Sequence, residues 1–265
     1  MDAACRTFTI DLAKHAGKIM KTNFTLGMKK EWKSDNTPLT ETDLTINALV
    51  LDSIKKKFPG HSVLAEEGSN VSEGSEYVWV CDPVDGTTPF SHGIPTCVFS
   101  LALVQKGTVM LGVVYDPFID RMFVGEKGKG ASLNGKKISV SRSTTLANAI
   151  VGFVNSRRAP YDFSDLYQQL LSRQVKLLDV GSIAYMHALV ACGEFAATIF
   201  PYDQPHDTAA IKVIVEEAGG MVTDLFGNEQ RYDRANGFRG HLVSNGVLHH
   251  ELVNIITSTV KTKSS

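Results

Sequence analysis

One stretch of the sequence decides both the fold and the candidate site: Tyr77-Val78-Trp79-Val80-Cys81-Asp82-Pro83-Val84-Asp85-Gly86-Thr87-Thr88-Pro89-Phe90. Its first five residues are apolar and rich in β-branched and aromatic side chains, which predicts a buried strand over 77–81. Open α/β sheets place ligands beyond the carboxyl ends of their strands. Asp82 and Asp85 follow there, and carboxylate oxygens suit hard divalent cations such as Mg2+. Because Gly86 lets the backbone turn its amides toward an anion, the stretch predicts a metal site beside a phosphate site.

Two further acidic positions support this interpretation. Asp-Pro and Asp-Gly are also common turn pairs, so the stretch alone is compatible with an ordinary turn. Glu66 follows a short apolar strand pattern, and Asp207 opens a predicted helix that ends at Gly219-Gly220. Taken singly, Glu66 is typical of a solvated loop and Asp207 of a helix N-cap or first-turn acid.

The composition is that of an ordinary globular enzyme. The chain has 265 residues, which is enough for a substantial core, and its net charge of -1 argues against a broad nucleic-acid-binding surface. The longest apolar run, 98–104, is too short to cross a bilayer. The cysteines have no paired spacing, so neither a zinc site nor a disulfide framework is indicated. The N-terminus lacks the layout of a signal peptide, and we expect a cytoplasmic protein with no membrane or nucleic-acid partner.

The periodicity predicts an α+β lobe joined to an α/β lobe. Apolar spacing predicts helices over 3–24, 43–58, 163–173, 182–192 and 207–217. Strands are predicted over 77–81, 98–104, 109–114, 121–124, 149–154, 195–200 and 241–244, with a hairpin turn at Asn134-Gly135. We expect an antiparallel-rich N-terminal lobe over 1–145 that carries most metal ligands. An alternating C-terminal lobe over 146–265 is expected to carry Asp207 and the substrate contacts.

Several segments, taken in order, resemble the inositol monophosphatase family of Mg2+-dependent, Li+-sensitive sugar phosphatases. Residues 79–90 resemble one family signature, and Ala65-Glu66-Glu67-Gly68 resembles its metal-binding glutamate segment. Asp207-Thr208-Ala209-Ala210, with Glu217-Ala218-Gly219-Gly220 after it, is similar to the second signature. The resemblance extends from the first helix to about Asn245. It implies a layered αβαβα sandwich and a homodimeric phosphomonoesterase that hydrolyses a small polyol or sugar phosphate by metal-activated water attack.

The resemblance also implies a role for each site residue. The implied metal ligands are Glu66, Asp82, the main-chain carbonyl of Val84, Asp85 and Asp207, holding about two to three Mg2+ ions, with inhibition by Li+. Thr87, Asp43 and Glu66 are the implied catalytic residues, the first two by orienting the attacking water. The implied phosphate ligands are Gly86, Thr87 and Thr88, and the candidate contacts to the leaving alcohol are Gly181, Ser182, Asp203 and His206. Lys33 resembles a family lysine near the metal site.

The chain departs from the family pattern where the substrate is recognised. His206 stands where the second signature usually has Trp, and Phe200 stands where inositol-specific members have Glu. His206 either makes the pocket wall more polar or fills the same space, and Asp203 is a candidate substitute for binding hydroxyls. Histidinol phosphate, fructose 1,6-bisphosphate and 3'-phosphoadenosine 5'-phosphate therefore stay open as substrates beside inositol phosphate. A catalytically silent, metal-binding interaction protein is the non-enzyme alternative.

Overall fold

The computed structural model describes residues 3–34, 36–71, 74–155, 159–202, 204–232 and 239–263. The helices in this part of the chain are α1 Ala3–Asn23, α2 Glu41–Lys57, α3 Thr87–Ser91, α4 Ser164–Ser172, α5 Ile183–Ala191, α6 Ala209–Glu217 and α7 His249–Thr259. The strands are β1 Glu31–Trp32, β2 Pro38–Leu39, β3 Ser62–Ala65, β4 Tyr77–Asp85, β5 Val98–Gln105, β6 Thr108–Asp116, β7 Arg121–Glu126, β8 Gly130–Leu133, β9 Lys136–Lys137, β10 Ile150–Phe153, β11 Tyr161–Asp162, β12 Lys176–Leu178, β13 Ala197–Phe200, β14 Met221–Thr223, β15 His241–Ser244 and β16 Lys261–Thr262. A 3-10 turn, Pro205–Asp207, precedes α6. Among these residues we find no helix with both the length and the apolar character needed to span a bilayer.

Two large sheets form the framework. Strands β3 to β9 make a seven-stranded sheet in chain order, in which β3 and β4 run parallel and the other neighbours antiparallel. The second sheet has five strands in the order β12-β10-β13-β15-β14, parallel for the first three and antiparallel from β13 onward. The predicted contrast between an antiparallel first half and an alternating second half is therefore confirmed.

The helices form three layers because both large sheets bury apolar side chains on their two faces. Helices α1 and α2 cover one face of the seven-stranded sheet, where Ala13 and Ile46 belong to one core with Trp79. Helices α5 and α6 lie between the sheets, and Met186 and Ile214 share a core with strand residues of both. Helices α4 and α7 cover the outer face of the five-stranded sheet. The predicted layered αβαβα sandwich is confirmed.

Two glycines let α6 lie close to the seven-stranded sheet. A Cβ atom at Gly112 in β6 would lie 2.2 Å from the backbone oxygen of Ala210, and one at Gly125 in β7 would lie 2.6 Å from the Cα of Ile214. Both distances are shorter than any van der Waals contact, so a larger residue at either position would push the helix away from the sheet. The close approach holds the start of α6 over the sheet and, with it, the 3-10 turn that carries Asp207.

Some element boundaries differ from the prediction for local reasons. The strand predicted to end at Cys81 continues to Asp85, and its pairing with β5 is irregular between Asp82 and Asp85, where Pro83 lacks an amide hydrogen. The helix predicted to begin at Asp207 begins at Ala209, since residues 205–207 form the proline-initiated 3-10 turn.

Other elements lie beyond the predicted set. The helix predicted over 43–58 already begins at Glu41, and α7 and β14 have no counterpart among the predicted elements. Residue 145 lies between β9 and β10, where the chain passes from the first sheet to the second. As a domain boundary it stays a prediction, because α5 and α6 from the second half pack against the first sheet as well.

Candidate active site

Three buried aspartates meet at the carboxyl end of β4. Asp82, Asp85 and Asp207 are 2%, 4% and 7% exposed, and each offers a carboxylate oxygen within 4.8 Å of the others. Asp82 lies in the last part of β4, Asp85 is the last residue of that strand, and Asp207 ends the 3-10 turn before α6. The structure therefore brings together the three aspartates that the sequence predicts as metal ligands.

A second group of possible ligands shares Asp82. Glu66 and His206 each offer an atom within 4.8 Å of one another and of an Asp82 oxygen. Glu66 lies there because β3 runs parallel to β4, with Ala65 beside Cys81. Sequence reasoning treated His206 as a substrate contact and missed its place beside these carboxylates, since residues 66 and 206 are brought together only by the tertiary fold.

The clustered carboxylates repel one another in a poorly solvated environment. Burial, followed by the charges of Glu66 and Asp85, raises the pKa of Asp82 well above its ordinary value. Burial also raises the pKa of Asp85 to about 6, although hydrogen bonds from the start of α5 oppose the change. Buried carboxylates are stable in their charged form only when cations or hydrogen bonds balance them. This all-oxygen set therefore fits Mg2+.

Asp85 also holds the start of α5. Its Oδ1 accepts a hydrogen bond from the Ile183 amide at 3.1 Å, and its Oδ2 accepts one from the Ala184 amide at 2.9 Å. The hydroxyl of Ser182, which is buried, donates to Asp85 Oδ2 as well. Ser182 thus orients a predicted metal ligand, and its contact with substrate stays a prediction.

The turn between β4 and α3 requires glycine. Gly86 has φ +90°, and a Cβ atom there would lie 2.9 Å from the carbonyl oxygen of Thr96 and 3.2 Å from that of Gly181. Helix α3 begins at Thr87, so the amides of Thr87 and Thr88 belong to its first turn. The first amides of a helix have no carbonyl acceptor within that helix. Such amides suit an anion. Their role as phosphate ligands stays a prediction, as does contact between Gly181 and substrate.

Thr87 connects the metal cluster to α2. Its hydroxyl lies 3.0 Å from the carbonyl oxygen of Val84 and 3.2 Å from Asp43 Oδ1. Asp43 is buried in the first turn of α2, where its Oδ2 accepts the Thr40 amide at 2.9 Å. Burial raises the pKa of Asp43 above its ordinary value. Asp43 is therefore both an acid in the first turn of α2 and a neighbour of Thr87.

Lys33 balances the glutamates on the other side of the site. Its Nζ lies 2.7 Å from Glu66 Oε1 and also donates to Glu67. Burial acts to lower the pKa of Lys33, but the two carboxylates outweigh it and hold the pKa above its ordinary value. Burial and the charge of Glu66 raise the pKa of Glu67 to about 7. The lysine thus lies where the family resemblance places one.

The site opens into a cavity of about 450 Å³. Its lining residues are Lys33, Thr37, Glu66, Thr88, Ile183, Phe200, Tyr202, Gln204, His206 and Asp207. Asp203, a predicted substrate contact, lies outside the described residues. Phe200 and Tyr202 had no predicted role as lining residues. Their position at and beyond the carboxyl end of β13, where α/β sheets bind ligands, is the signal that could have identified them.

The chain is similar to known proteins in both sequence and fold. The sequence profile of the inositol monophosphatase family matches residues 2–261. A fructose-1,6-bisphosphatase/inositol-1-monophosphatase of Thermotoga maritima is 34% identical over 257 residues, which cover 96% of each chain. The solved IMPase of Thermotoga maritima has a TM-score of 0.87 at 30% identity, covering 96% of this chain and 97% of its own. Staphylococcus aureus SaIMPase-II, solved with inositol monophosphate bound, has a TM-score of 0.79 at 28% identity, covering 94% and 92%. The chain therefore belongs to the inositol monophosphatase family of phosphoric monoester hydrolases.

Proposed function

We propose that this chain is a Mg2+-dependent phosphatase of a small polyol or sugar phosphate, in which metal-activated water attacks the phosphorus. The observation that carries the proposal is the group of three buried carboxylates, Asp82, Asp85 and Asp207, with oxygens within 4.8 Å of one another. Glu66 and the main-chain carbonyl of Val84 would complete the ligand set. Bound Mg2+ would neutralise phosphoryl oxygens and lower the pKa of water.

Thr87 and Asp43 are proposed to orient the attacking water. The Thr87 hydroxyl has two acceptors within reach, the Val84 carbonyl and Asp43 Oδ1. When it donates to Asp43, its oxygen keeps lone pairs that accept a proton of the water, and this fixes the direction of the water's own lone pair. Glu66 would lie on the metal side of the same water.

The substrate is proposed to lie between the start of α3 and the far end of the cavity. The amides of Gly86, Thr87 and Thr88 would bind the phosphate. The residues proposed to face the leaving alcohol are Gly181, Ser182, Asp203 and His206. Inositol monophosphate in SaIMPase-II supports a small phosphorylated substrate for this chain, and the name of the Thermotoga maritima relative supports testing fructose 1,6-bisphosphate as well.

Phosphate release with and without Mg2+ tests the proposal. The substrates are inositol 1-phosphate, histidinol phosphate, fructose 1,6-bisphosphate and 3'-phosphoadenosine 5'-phosphate, with Li+ added to the most active reaction. We expect release that requires Mg2+, that EDTA abolishes and that Li+ inhibits. Absence of Mg2+-dependent release from every ester, with Mg2+ binding intact by calorimetry, would favour the silent metal-binding protein instead.

A homodimer in the cytoplasm is the proposed state of the protein. The proposal rests on the family resemblance and on the cysteines, since Cys5, Cys81, Cys97 and Cys192 are not joined to one another by disulfides. Light scattering at working concentration tests the dimer, and a single mass near 28.9 kDa would reject it.

A further inference from the structure

The lining of the cavity has two chemically different parts. One, which we call the carboxylate end, contains Glu66 and Asp207 with Lys33 beside them, and the other contains the aromatic side chains of Phe200 and Tyr202. We call Phe200 and Tyr202 the aromatic wall. The leaving alcohol of a phosphate held at the carboxylate end must occupy the remaining space, so the aromatic wall faces the alcohol rather than the phosphate.

The two rings of the aromatic wall support each other. The ring centroids of Phe200 and Tyr202 are 5.3 Å apart at an interplanar angle of 64°, an edge-to-face pair. Phe200 is 6% exposed, whereas Tyr202 is half-buried, so Phe200 acts as the support and Tyr202 supplies more of the accessible surface. Edge-to-face aromatic pairs have a preferred geometry, and this one restricts the position of the Tyr202 ring.

A buried histidine fixes the aromatic wall from behind. The His241 ring stacks on Phe200 with centroids 5.9 Å apart and planes 9° from parallel. Its Nε2 lies 3.1 Å from the carbonyl oxygen of Gln204, and because a carbonyl can only accept, Nε2 must carry the hydrogen. Its Nδ1 lies 3.2 Å from the Thr208 hydroxyl. The ring is thus held at both nitrogens, and burial keeps it neutral by lowering its pKa to about 3.

A polyol gains little from the aromatic wall. Each hydroxyl of an inositol ring that loses water must find a new hydrogen-bond partner, and the ring faces of Phe200 and Tyr202 supply none. The Tyr202 hydroxyl is the wall's single polar side-chain group. A flat unsaturated ring has no such requirement, and it gains dispersion and quadrupole interactions by packing on tyrosine and phenylalanine. Gln204 and His206 also line the cavity, and they can pair with a small number of polar atoms on such a ring.

We infer that the aromatic wall selects phosphate monoesters whose alcohol carries a flat, unsaturated ring, such as an aryl-substituted alcohol or a nucleoside, over esters of polyols. This inference rests on the proposed phosphatase function, replaces polyols by ring-bearing alcohols as the preferred leaving groups, and assigns Phe200 and Tyr202 as residues that determine specificity. His241 acts through Phe200 and is a positioning residue.

The test compares 2-phenylethyl phosphate with inositol 1-phosphate. Both are esters of alkyl alcohols, so the ratio of their kcat/KM values reports recognition of the alcohol more than leaving-group reactivity. We expect the phenylethyl ester to be preferred at least about tenfold. In competition assays, 2-phenylethanol should inhibit at lower concentration than inositol, a readout that depends on binding alone. Equal or reversed preference in both measurements would overturn the inference.

Substitutions of the aromatic wall test whether it causes the preference for the phenylethyl ester. Tyr202→Leu and Phe200→Leu should reduce the kcat/KM ratio at least about fivefold, mainly through a higher KM for the phenylethyl ester. Tyr167→Leu is the matched control, because Tyr167 packs on Phe153 in the outer core of the five-stranded sheet, away from the cavity. An unchanged ratio in Tyr202→Leu would reject the aromatic wall as its source.

The design separates this inference from the proposed function. Hydrolysis of both esters without preference for the phenylethyl ester leaves the phosphatase intact and rejects the specificity. If neither ester is hydrolysed, the proposed function fails for these substrates, and calorimetric titration of the two esters in the presence of Mg2+ still measures their relative Kd. Tighter binding of inositol 1-phosphate in that titration would overturn the inference as well.

Discussion

The carboxylate end and the aromatic wall line one cavity, and they differ in the interactions that hold their side chains. At the carboxylate end each charged or polar group has defined partners: Asp85 accepts hydrogen bonds from the start of α5, and Thr87 lies between Val84 and Asp43. At the aromatic wall, the Phe200 side chain contacts the rings of Tyr202 and His241 and makes no hydrogen bond. We therefore expect substitutions at the carboxylate end to abolish hydrolysis of every substrate. Substitutions at the aromatic wall should instead change which substrates are preferred.

Asp82→Asn should give the largest loss of activity, and the loss should be the same for every substrate. The substitution removes a ligand shared by both groups of possible metal-binding residues, so we expect kcat to fall at least about a hundredfold, or about 2.7 kcal/mol, for every ester. In EDTA the variant should nevertheless have a higher Tm than the wild type. The pKa of Asp82 is raised by burial and then by Glu66, which means that its ionised form destabilises the fold at neutral pH.

Steady-state kinetics and thermal unfolding with and without Mg2+ measure both parts of this prediction. Asp165→Asn is the matched control, since that carboxylate is 62% exposed and pairs only with the exposed Lys261 among the contacts the structure describes. We expect the control to leave kcat and Tm near their wild-type values. Retention of turnover within about tenfold in Asp82→Asn would reject the carboxylate end as the metal site.

Substitution of Thr87 should lower kcat by a smaller factor, and two variants distinguish the role of its hydroxyl from that of its methyl group. Thr87→Ala should lower kcat about ten- to a hundredfold, because water loses the acceptor that Asp43 polarises, while KM changes little. Thr87→Ser keeps the hydroxyl and should stay within about threefold of the wild type. Equal losses in the two variants would show that the threonine methyl group, and not its hydroxyl, is what the site requires.

The same contrast explains how far the sequence alone could lead. Asp82 and Asp85 were predictable as possible metal ligands because they follow an apolar strand pattern. Glu66 and Asp207 were identified as ligands through the resemblance of their segments to the family's signatures. The periodicity of the strands and helices predicted an α+β lobe joined to an α/β lobe, and the family resemblance implied the layered sandwich. Local patterns contain no record of which distant segments touch, and this is why the stack of Phe200 on His241 and the place of His206 beside Glu66 emerged only from the structure.

The second role of Asp85, as a hydrogen-bond acceptor for the start of α5, could not be predicted from the sequence either. Its position after a strand predicts a metal ligand, yet three donors at the start of α5 use the same carboxylate. Glycines present a related difficulty, because a glycine within a strand indicates that something approaches closely without identifying what it is. At Gly112 the approaching group is the backbone of α6.

Gly112→Ala tests whether that approach positions Asp207. The added Cβ would lie 2.2 Å from the backbone oxygen of Ala210, so the start of α6 must shift, and we expect a loss of about 1–3 kcal/mol in unfolding free energy. The kcat should fall for both test esters by the same factor, leaving the ratio set by the aromatic wall unchanged. Gly60→Ala is the control, because a Cβ there meets open space. Lost stability with unchanged kcat would show that Asp207 does not depend on the helix contact.

The smallest expected effect concerns the pH dependence of stability behind the aromatic wall. Burial lowers the pKa of His241 to about 3, whereas a histidine in an unfolded chain titrates near about 6.5. Between these values the unfolded chain binds more protons, so stability is present above about pH 6.5 and is lost as the pH falls, by about 1 kcal/mol per pH unit for this group. Asp85, whose pKa is raised to about 6, changes in the opposite direction, since acid neutralises a charge that the fold disfavours.

Urea unfolding of the wild type and of His241→Gln at pH 7 and pH 5 isolates the histidine, because the carboxylates are common to both proteins. The variant should be less stable at pH 7 but should lose less stability on acidification, and His250→Gln, at an exposed position, should keep the wild-type dependence. Only the slope bears on the aromatic wall, since any substitution of a buried ring lowers stability. If His241→Gln kept the wild-type slope, the ring behind Phe200 would not be a neutral histidine held from both nitrogens, and the wall would owe its position to packing alone.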